Sequence, residues 1–224
     1  MFEDSDRYFM SENMKIVVES IEDKLNEPFF FEYKEVAIAA VSICIEAIKR
    51  FEASGLRGSS ELFRDNQAEE AINAHFCKVS EKILSDDVLQ VLDALRYSFM
   101  SYASNGLHQL YTRQENECWH PKIFLTEILE PNDIDSLPPV ITLYRGCDIG
   151  ELENNSFGQA WSTSLESARK FAYTNYLGQD WFNENSRVVL EARYRKEYVL
   201  FSDQSVEYEV VVDPGKLEGV RKHS

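Results

Sequence analysis

The stretch SVEYEVVVDP, residues 205–214, decides how the second half of the chain is interpreted. In an extended strand successive side chains point to opposite faces. The alternation predicts one apolar core face, formed by Val206, Tyr208, Val210 and Val212. The opposite face would carry Glu207 and Glu209, and two like charges at close range cost energy unless water or a cationic partner relieves them. The strand therefore lies at a wet edge, or the carboxylates have a function.

Around this stretch the apolar pattern is mostly that of strands. Strand-like runs are VITLYRG at 140–146, RVVLEARY at 187–194 and YVLF at 198–201. One helix interrupts them, in WSTSLESARKFAYTNY. Its beginning is predicted at Thr163, which has the T-x-x-E spacing of a capping box with Glu166.

The first half of the chain has a different period. From about residue 12 to about residue 115 apolar residues recur at helical spacing, with a break at Asn105-Gly106. The segment EPNDIDSLPP at 130–139 then holds three of the six prolines. These patterns predict an α+β protein. A mostly helical region over 1–139 would form one integrated unit with a β-rich core over 140–224.

The charge of the chain weighs against nucleic acid as a partner. Acidic residues number 39 against 23 basic ones, for a net charge of −16, and residues 1–139 hold 26 of the acidic and 13 of the basic residues. Such a charge opposes approach to phosphate backbones. A local basic groove remains an alternative, built from Arg187, Arg193, Arg195 and Lys196.

The cysteines and the apolar runs indicate a cytoplasmic location. The four cysteines, Cys44, Cys77, Cys118 and Cys147, form no C-x-x-C pair, and no signal peptide is recognisable. The longest apolar run, at 36–48, is interrupted by Glu46 and is too short to span a bilayer. We therefore expect a soluble protein with reduced thiols and no membrane partner. His120 lies near Cys118, but no second ligand pair accompanies them, so we expect no metal.

Three polar features of the second half have ordinary explanations when taken singly. Arg145 near the end of a strand would point to water, and Gly146 after it would leave a backbone that a ligand can approach closely. The hydroxyls of residues 162–164 would cap a helix. The Glu207 and Glu209 pair would be a solvated strand face.

Together, and in this order, the three features favour a specific function. The segments LYRG at 143–146, WSTSLESARKFA at 161–172 and EYEVVVDP at 207–214 resemble the three signature segments of the R-S-E class of mono-ADP-ribosyltransferases, which includes many bacterial toxins and phage enzymes. The resemblance covers about residues 140–214. It implies a split β-sandwich around a cleft that binds NAD as co-substrate.

The resemblance also implies a role for each matching residue. Arg145 would hold a phosphate of NAD, and Gly146 would offer backbone groups to the nicotinamide amide. Ser162 would brace the nicotinamide-ribose pocket, with Thr163 and Ser164 supporting its shape.

In the last signature segment the resemblance implies that Glu209 is the catalytic glutamate and Glu207 the acceptor-side one. The loop FSDQS at 201–205 would recognise the acceptor. By position only, Trp181 or Phe182 would be the aromatic residue that stacks near nicotinamide.

Elementary chemistry accounts for this set. Cleavage of the bond between nicotinamide and ribose leaves an oxocarbenium-like cation, which a carboxylate such as Glu209 would stabilise. Arginine pairs with phosphate through a planar fork of donors. Glu207 would orient a guanidinium acceptor and take its proton.

The favoured reaction is therefore transfer of ADP-ribose from NAD to an arginine side chain of a protein. One alternative places ADP-ribose on RNA or DNA. Another is a non-enzymatic module that only binds NAD or protein. The acidic N-terminal half is compatible with a cationic regulatory partner or antitoxin in each case.

Overall fold

The protein is described by a computed structural model that covers residues 1–55, 66–112, 119–179 and 182–223. Two compact units make up the chain, residues 1–124 and residues 125–224. The division lies earlier than the predicted one at residue 139. Residues 125–139 join the second unit partly through backbone bonds from Leu129 N to Leu200 O and from Asp133 N to Ser202 O. Cys118 and Trp181, named above, lie outside the described residues.

The first unit is helical in its described part, as predicted. Its α-helices are α1 (Asp4–Tyr8), α2 (Val18–Leu25), α3 (Lys34–Ala53), α4 (Gln67–Ser80) and α5 (Asp86–Thr112). They enclose a core of fully buried side chains that includes Met10, Ile21, Ile45 and Phe99. The predicted break in α5 is present, because Gly106 has a φ of +66° that only glycine adopts at little cost.

The second unit contains a six-stranded antiparallel sheet, which confirms the α+β class. Its strands are β1 (Val140–Asp148), β2 (Ala160–Ser162), β3 (Arg187–Arg195), β4 (Val199–Asp203), β5 (Glu209–Val212) and β6 (Glu218–Lys222), in the order β4-β5-β2-β1-β3-β6. Two short helices, α6 (Gly150–Glu153) and α7 (Leu165–Tyr173), follow β1 and β2.

The two middle strands of the sheet, β2 and β1, have the shortest pairing in it. Strand β1 pairs with β3 along its whole length, whereas it pairs with β2 at one register position, Tyr144 opposite Ser162. The sheet therefore consists of two three-stranded halves, β4-β5-β2 and β1-β3-β6, which meet at this pair. One face forms the main core of the unit, with buried Leu143, Trp161 and Leu190.

Two sequence predictions about local structure are wrong. Strand β5 begins at Glu209, and the preceding residues form an exposed turn in which Tyr208 has a φ of +56°. Val206 is 78% exposed and Tyr208 45% exposed, so neither belongs to the core face, although Val210 and Val212 are buried as predicted.

The predicted capping box at the start of α7 is also wrong. The N-cap is Ser164, whose side chain accepts a hydrogen bond from the backbone N–H of Ser167. Thr163 instead bonds to the loop before β5. The helix begins one residue later than predicted, so Thr163 does not cap it and its hydroxyl bonds to Gln204.

Candidate functional site

The three signature segments lie on neighbouring strands of the second unit. Arg145 is in β1, Ser162 ends β2 and Glu209 begins β5, and the sheet order β5-β2-β1 places these strands side by side. In the register, Glu209 is opposite Ser162, and Ser162 is opposite Tyr144. Directly opposite residues share a face and have Cβ atoms roughly 4.5–5.5 Å apart. A row Glu209–Ser162–Tyr144 therefore crosses the junction of the two halves.

Ser162 is a bracing residue in this row. Its side chain is buried, and its hydroxyl donates a hydrogen bond of 2.8 Å to the backbone carbonyl of Glu207. The same oxygen accepts a 3.0 Å bond from the backbone N–H of Ser164. Both bonds join β2 and the start of α7 to the turn that leads into Glu209.

The next two hydroxyls continue this connection. The Thr163 backbone N–H donates to Tyr208 O at 2.9 Å, and the Thr163 hydroxyl donates to Gln204 Oε1 at 2.6 Å. Ser164 caps α7. The Ser-Thr-Ser segment therefore both starts the helix and holds the loop before β5.

The two glutamates do not share a strand face, contrary to the sequence prediction. Glu209 is half-buried at the first position of β5, whereas Glu207 is exposed in the preceding turn. The left-handed conformation of Tyr208 between them breaks the alternation on which the prediction depended. The two carboxylates therefore have different environments: Glu209 is half-buried in β5, and Glu207 is exposed in the turn before it.

Arg145 is held in a network of anionic and carbonyl partners. Its Nε and Nη2 donate to the two oxygens of Glu151, each at 2.8 Å, and its Nη1 donates to Ala160 O at 2.5 Å. The Gly158 N–H also donates to the Glu151 carboxylate, at 3.1 Å. Strict alternation places the Arg145 side chain on the other face of β1 from Tyr144, and so also from Ser162 and Glu209, which share the face of Tyr144.

Next to Arg145 on this face lies a thiol without the properties of a nucleophile. Cys147 is 3% exposed, and burial, assisted by the charge of Glu151, raises its pKa to about 12. A thiolate is the reactive form, so Cys147 is a neutral packing residue.

Gly146 makes its close approach to a helix. A Cβ atom at Gly146 would lie 2.1 Å from Ala168 O and 2.4 Å from Ala172 N, both in the backbone of α7. The glycine therefore allows α7 to pack directly on β1. The ligand approach at Gly146 that the sequence suggested stays a prediction.

Phe182 is positioned by Arg187. The Arg187 guanidinium carbon lies 5.5 Å from the centre of the Phe182 ring, and the same side chain donates to Ala172 O and Phe171 O at the end of α7, both at 3.2 Å. Phe182 thus lies beside the far end of α7, whereas Ser162 and Ser164 lie at its beginning.

The basic residues considered for a nucleic-acid groove have acidic neighbours. Arg195 lies 3.6 Å from Glu197 and 3.8 Å from Glu218, and Lys196 lies 4.0 Å from Asp135. Arg187 donates its hydrogen bonds to backbone carbonyls at the end of α7. Arg187, Arg195 and Lys196 therefore have backbone or acidic partners of their own.

Sequence reasoning missed a polar continuation of the row. Glu191 lies opposite Tyr144 on β3, and its carboxylate bonds to His223 Nδ1 at 2.8 Å and to Arg221 at 2.7 Å. These hydrogen bonds, led by that from His223, lower the pKa of Glu191. The Tyr144 ring packs edge-on against the His223 ring, with centres 5.4 Å apart. The period-two alternation of β1 could have indicated this row, because it places Tyr144 on the opposite face of the strand from Arg145.

Comparison of the chain with protein-family models, curated proteins and solved structures finds no match. Within the described ranges no group of three or more His, Cys, Asp or Glu side chains is placed to hold a metal ion. Over the same part of the chain, none of the helices has the length and apolar character required to cross a membrane.

Proposed function

We propose that the second unit is a mono-ADP-ribosyltransferase site that uses NAD as co-substrate. The observation that carries the proposal is the meeting of the Arg, Ser-Thr-Ser and Glu-x-Glu segments on adjacent strands, with Ser162 opposite Glu209 and bonded to the Glu207 carbonyl. A chance similarity of three short segments does not require them to become neighbours in the fold.

The proposed reaction begins at the ribose carbon that carries nicotinamide. The bond from this carbon to the nicotinamide nitrogen breaks, and its electron pair leaves with the nicotinamide, which becomes neutral. Positive charge develops on the ribose, and a fixed carboxylate stabilises such a charge most effectively where water is scarce. Glu209, half-buried at the start of β5, is the residue proposed for this role.

Arg145 is proposed to bind a phosphate of NAD, which would have to reach across the junction of the two halves, because the Arg145 side chain lies on the other face of β1 from Ser162 and Glu209. Its fork of donors suits a carboxylate or a phosphate in bidentate geometry, and Glu151 fills that fork in the structure. A phosphate at Arg145 would replace Glu151 as the anionic partner. The Nη1 bond to Ala160 O would keep the guanidinium plane aligned during the exchange.

The proposed acceptor is an arginine side chain of a protein. Glu207 is exposed at the edge of the site, where it would meet an incoming guanidinium and receive its proton as the new bond from nitrogen to ribose forms. The net charge of −16 favours a cationic substrate or regulatory partner over a nucleic acid. The acidic neighbours of Arg195 and Lys196 point the same way.

The test uses NAD labelled in its ADP-ribose part and a whole-cell extract. The unaltered protein and Glu209→Gln are compared, and the labelled product is treated with protease or with nuclease. Label that requires Glu209 and is lost to protease supports the proposal. Nuclease-sensitive label would move the acceptor to nucleic acid, and a protein that neither transfers label nor releases nicotinamide would be a binding module.

A further inference from the structure

The loop from Gln204 to Tyr208 joins β4 to β5 and carries Glu207. Residues 205–208 are exposed, and Tyr208 has a left-handed backbone conformation. A loop of this kind has few apolar contacts to fix it, so its conformation depends on hydrogen bonds. Two of these come from the backbone and hydroxyl of the Ser-Thr segment, to Tyr208 O and Glu207 O.

Several further bonds converge on one side chain, that of Gln204. Its Oε1 accepts the hydroxyl of Thr163 at 2.6 Å, and its Nε2 donates to Ser202 Oγ and to Glu209 O, both at 3.1 Å. Its backbone N–H donates to Asp133 Oδ2 at 2.7 Å. Gln204, the first residue of the loop, is thus bonded to Glu209, which follows the loop, and to Thr163, which follows β2.

The chemistry of these partners requires an amide. Glu209 O is a carbonyl and only accepts, so the NH₂ group of Gln204 must face it, which leaves Oε1 for the Thr163 hydroxyl. A carboxylate at position 204 would keep the bond to Thr163 and could accept from the Ser202 hydroxyl, but it would lose the bond to Glu209 O. An apolar side chain of the same length would lose all three.

Resting on the proposed function, we propose that Gln204 is a positioning residue that fixes the Glu207 loop relative to Glu209 and so sets how ADP-ribose is divided between the acceptor and water. Glu209 is also held by the pairing of β5 with β2, which does not involve Gln204. Glu207 lies outside β5, in the turn, where its backbone carbonyl accepts a bond from the Ser162 hydroxyl. Loss of Gln204 therefore affects acceptor delivery more than cleavage of NAD.

Both reactions balance with the groups at the site. In each, the bond from ribose to nicotinamide breaks and nicotinamide leaves with the electron pair. In transfer, a guanidine nitrogen bonds to the ribose carbon and gives its proton to Glu207. In hydrolysis, water bonds to the same carbon and its proton goes to solvent. Misplacement of a reacting group by about 1 Å costs on the order of 10²-fold in rate, so a loosened loop shifts the division toward hydrolysis.

The experiment compares Gln204→Met, Gln204→Glu and the unaltered protein. Gln90→Met is the matched control, because it makes the same substitution at an exposed position of α5 in the first unit. Nicotinamide release without acceptor measures hydrolysis. Formation of the ADP-ribose adduct of agmatine, a simple guanidine, measures transfer. Exchange of the Thr163 amide proton, which is bonded to Tyr208 O, reports the loop directly.

The proposal expects the ratio of transfer to hydrolysis to fall about tenfold or more in Gln204→Met. Thr163 amide exchange should quicken about fivefold or more, the worth of one hydrogen bond. Gln204→Glu should fall between Gln204→Met and the unaltered protein, and Gln90→Met should match the unaltered protein.

Two results would overturn the proposal. One is a parallel loss of both activities in Gln204→Met, which indicates a general structural role. The other is a Thr163 exchange rate in Gln204→Met equal to that in Gln90→Met, which means that the loop is held without Gln204. If the unaltered protein releases no nicotinamide, the proposed function fails, and so does the claim about how ADP-ribose is divided between acceptor and water. The Thr163 exchange rate still decides whether Gln204 holds the loop.

Discussion

Replacement of Gly146 by alanine separates a packing role from a ligand-binding role. The added Cβ would lie 2.1 Å from Ala168 O. The usual distance from a carbon to a carbonyl oxygen begins at about 3.3 Å, so α7 would have to move by about 1.2 Å. Ala168 and Ala172 are fully buried against the sheet at this point.

The expected loss of stability follows from the nature of the clash. Both close atoms belong to the backbone of α7, which cannot rotate away as a side chain would. Overpacking of a buried contact typically costs about 1–3 kcal/mol and occasionally more, and Gly146→Ala should lie near the upper end. For a unit of this size the melting temperature would fall by roughly 10–20 °C.

The assay is urea denaturation followed by far-ultraviolet circular dichroism, without NAD. Gly215→Ala is the matched control, since the atom nearest to its added Cβ would be Asp213 Oδ1 at 3.2 Å, the end of a side chain. It should cost less than about 1 kcal/mol. If Gly146→Ala unfolds at the same urea concentration as the unaltered protein and only loses NAD binding, the packing argument is refuted and the glycine serves the ligand.

Three further changes test other parts of the structure. Burial raises the pKa of Tyr194 to about 12, so its contribution to stability is complete below pH 10 and is lost as the pH rises from 10 to 12; in Tyr194→Phe this alkaline loss should be smaller. The same substitution leaves the Asp213 N–H, bonded to Tyr194 at 2.8 Å, without its acceptor, which should cost about 1–3 kcal/mol in denaturant unfolding at pH 7. In His223→Ala the pKa of Glu191 should rise toward its ordinary value, as seen by carboxyl NMR titration, and an unchanged titration would show that His223 does not hold it. Asn66→Ala removes the N-cap of α4 and should destabilise the first unit by about 1 kcal/mol in thermal unfolding.

The sequence predicted those elements whose pattern is local. The helical first half, the strands β1, β3 and β4 and the break at Gly106 follow from apolar periods and from glycine, and the structure has them. Long periodic segments are the most reliable part of such a prediction.

The candidate site was predicted less completely because its contacts join distant segments. The partners of Arg145 and Thr163 are Glu151 and Gln204, and no period in the sequence links these residues. The same-face argument for the two glutamates failed at Tyr208, since one residue in the left-handed region resets the alternation of a strand.

The roles assigned to Gly146 and Ser164 show a related difficulty. A glycine in a strand indicates close approach of some group, and a serine before a helix indicates a hydrogen-bond donor or acceptor, but the partner is a tertiary fact. In this protein the partners are α7 and its first turn.

The central claim is that Glu209 acts on the bond between nicotinamide and ribose. The most direct measurement is the rate of nicotinamide release from NAD by the purified protein without acceptor, beside that of Glu209→Gln. The account predicts release by the unaltered protein and a fall of at least about 10²-fold in the variant, as expected when a preorganised charge-stabilising group is lost. Equal rates in the two proteins, or no release from the unaltered one, would contradict it.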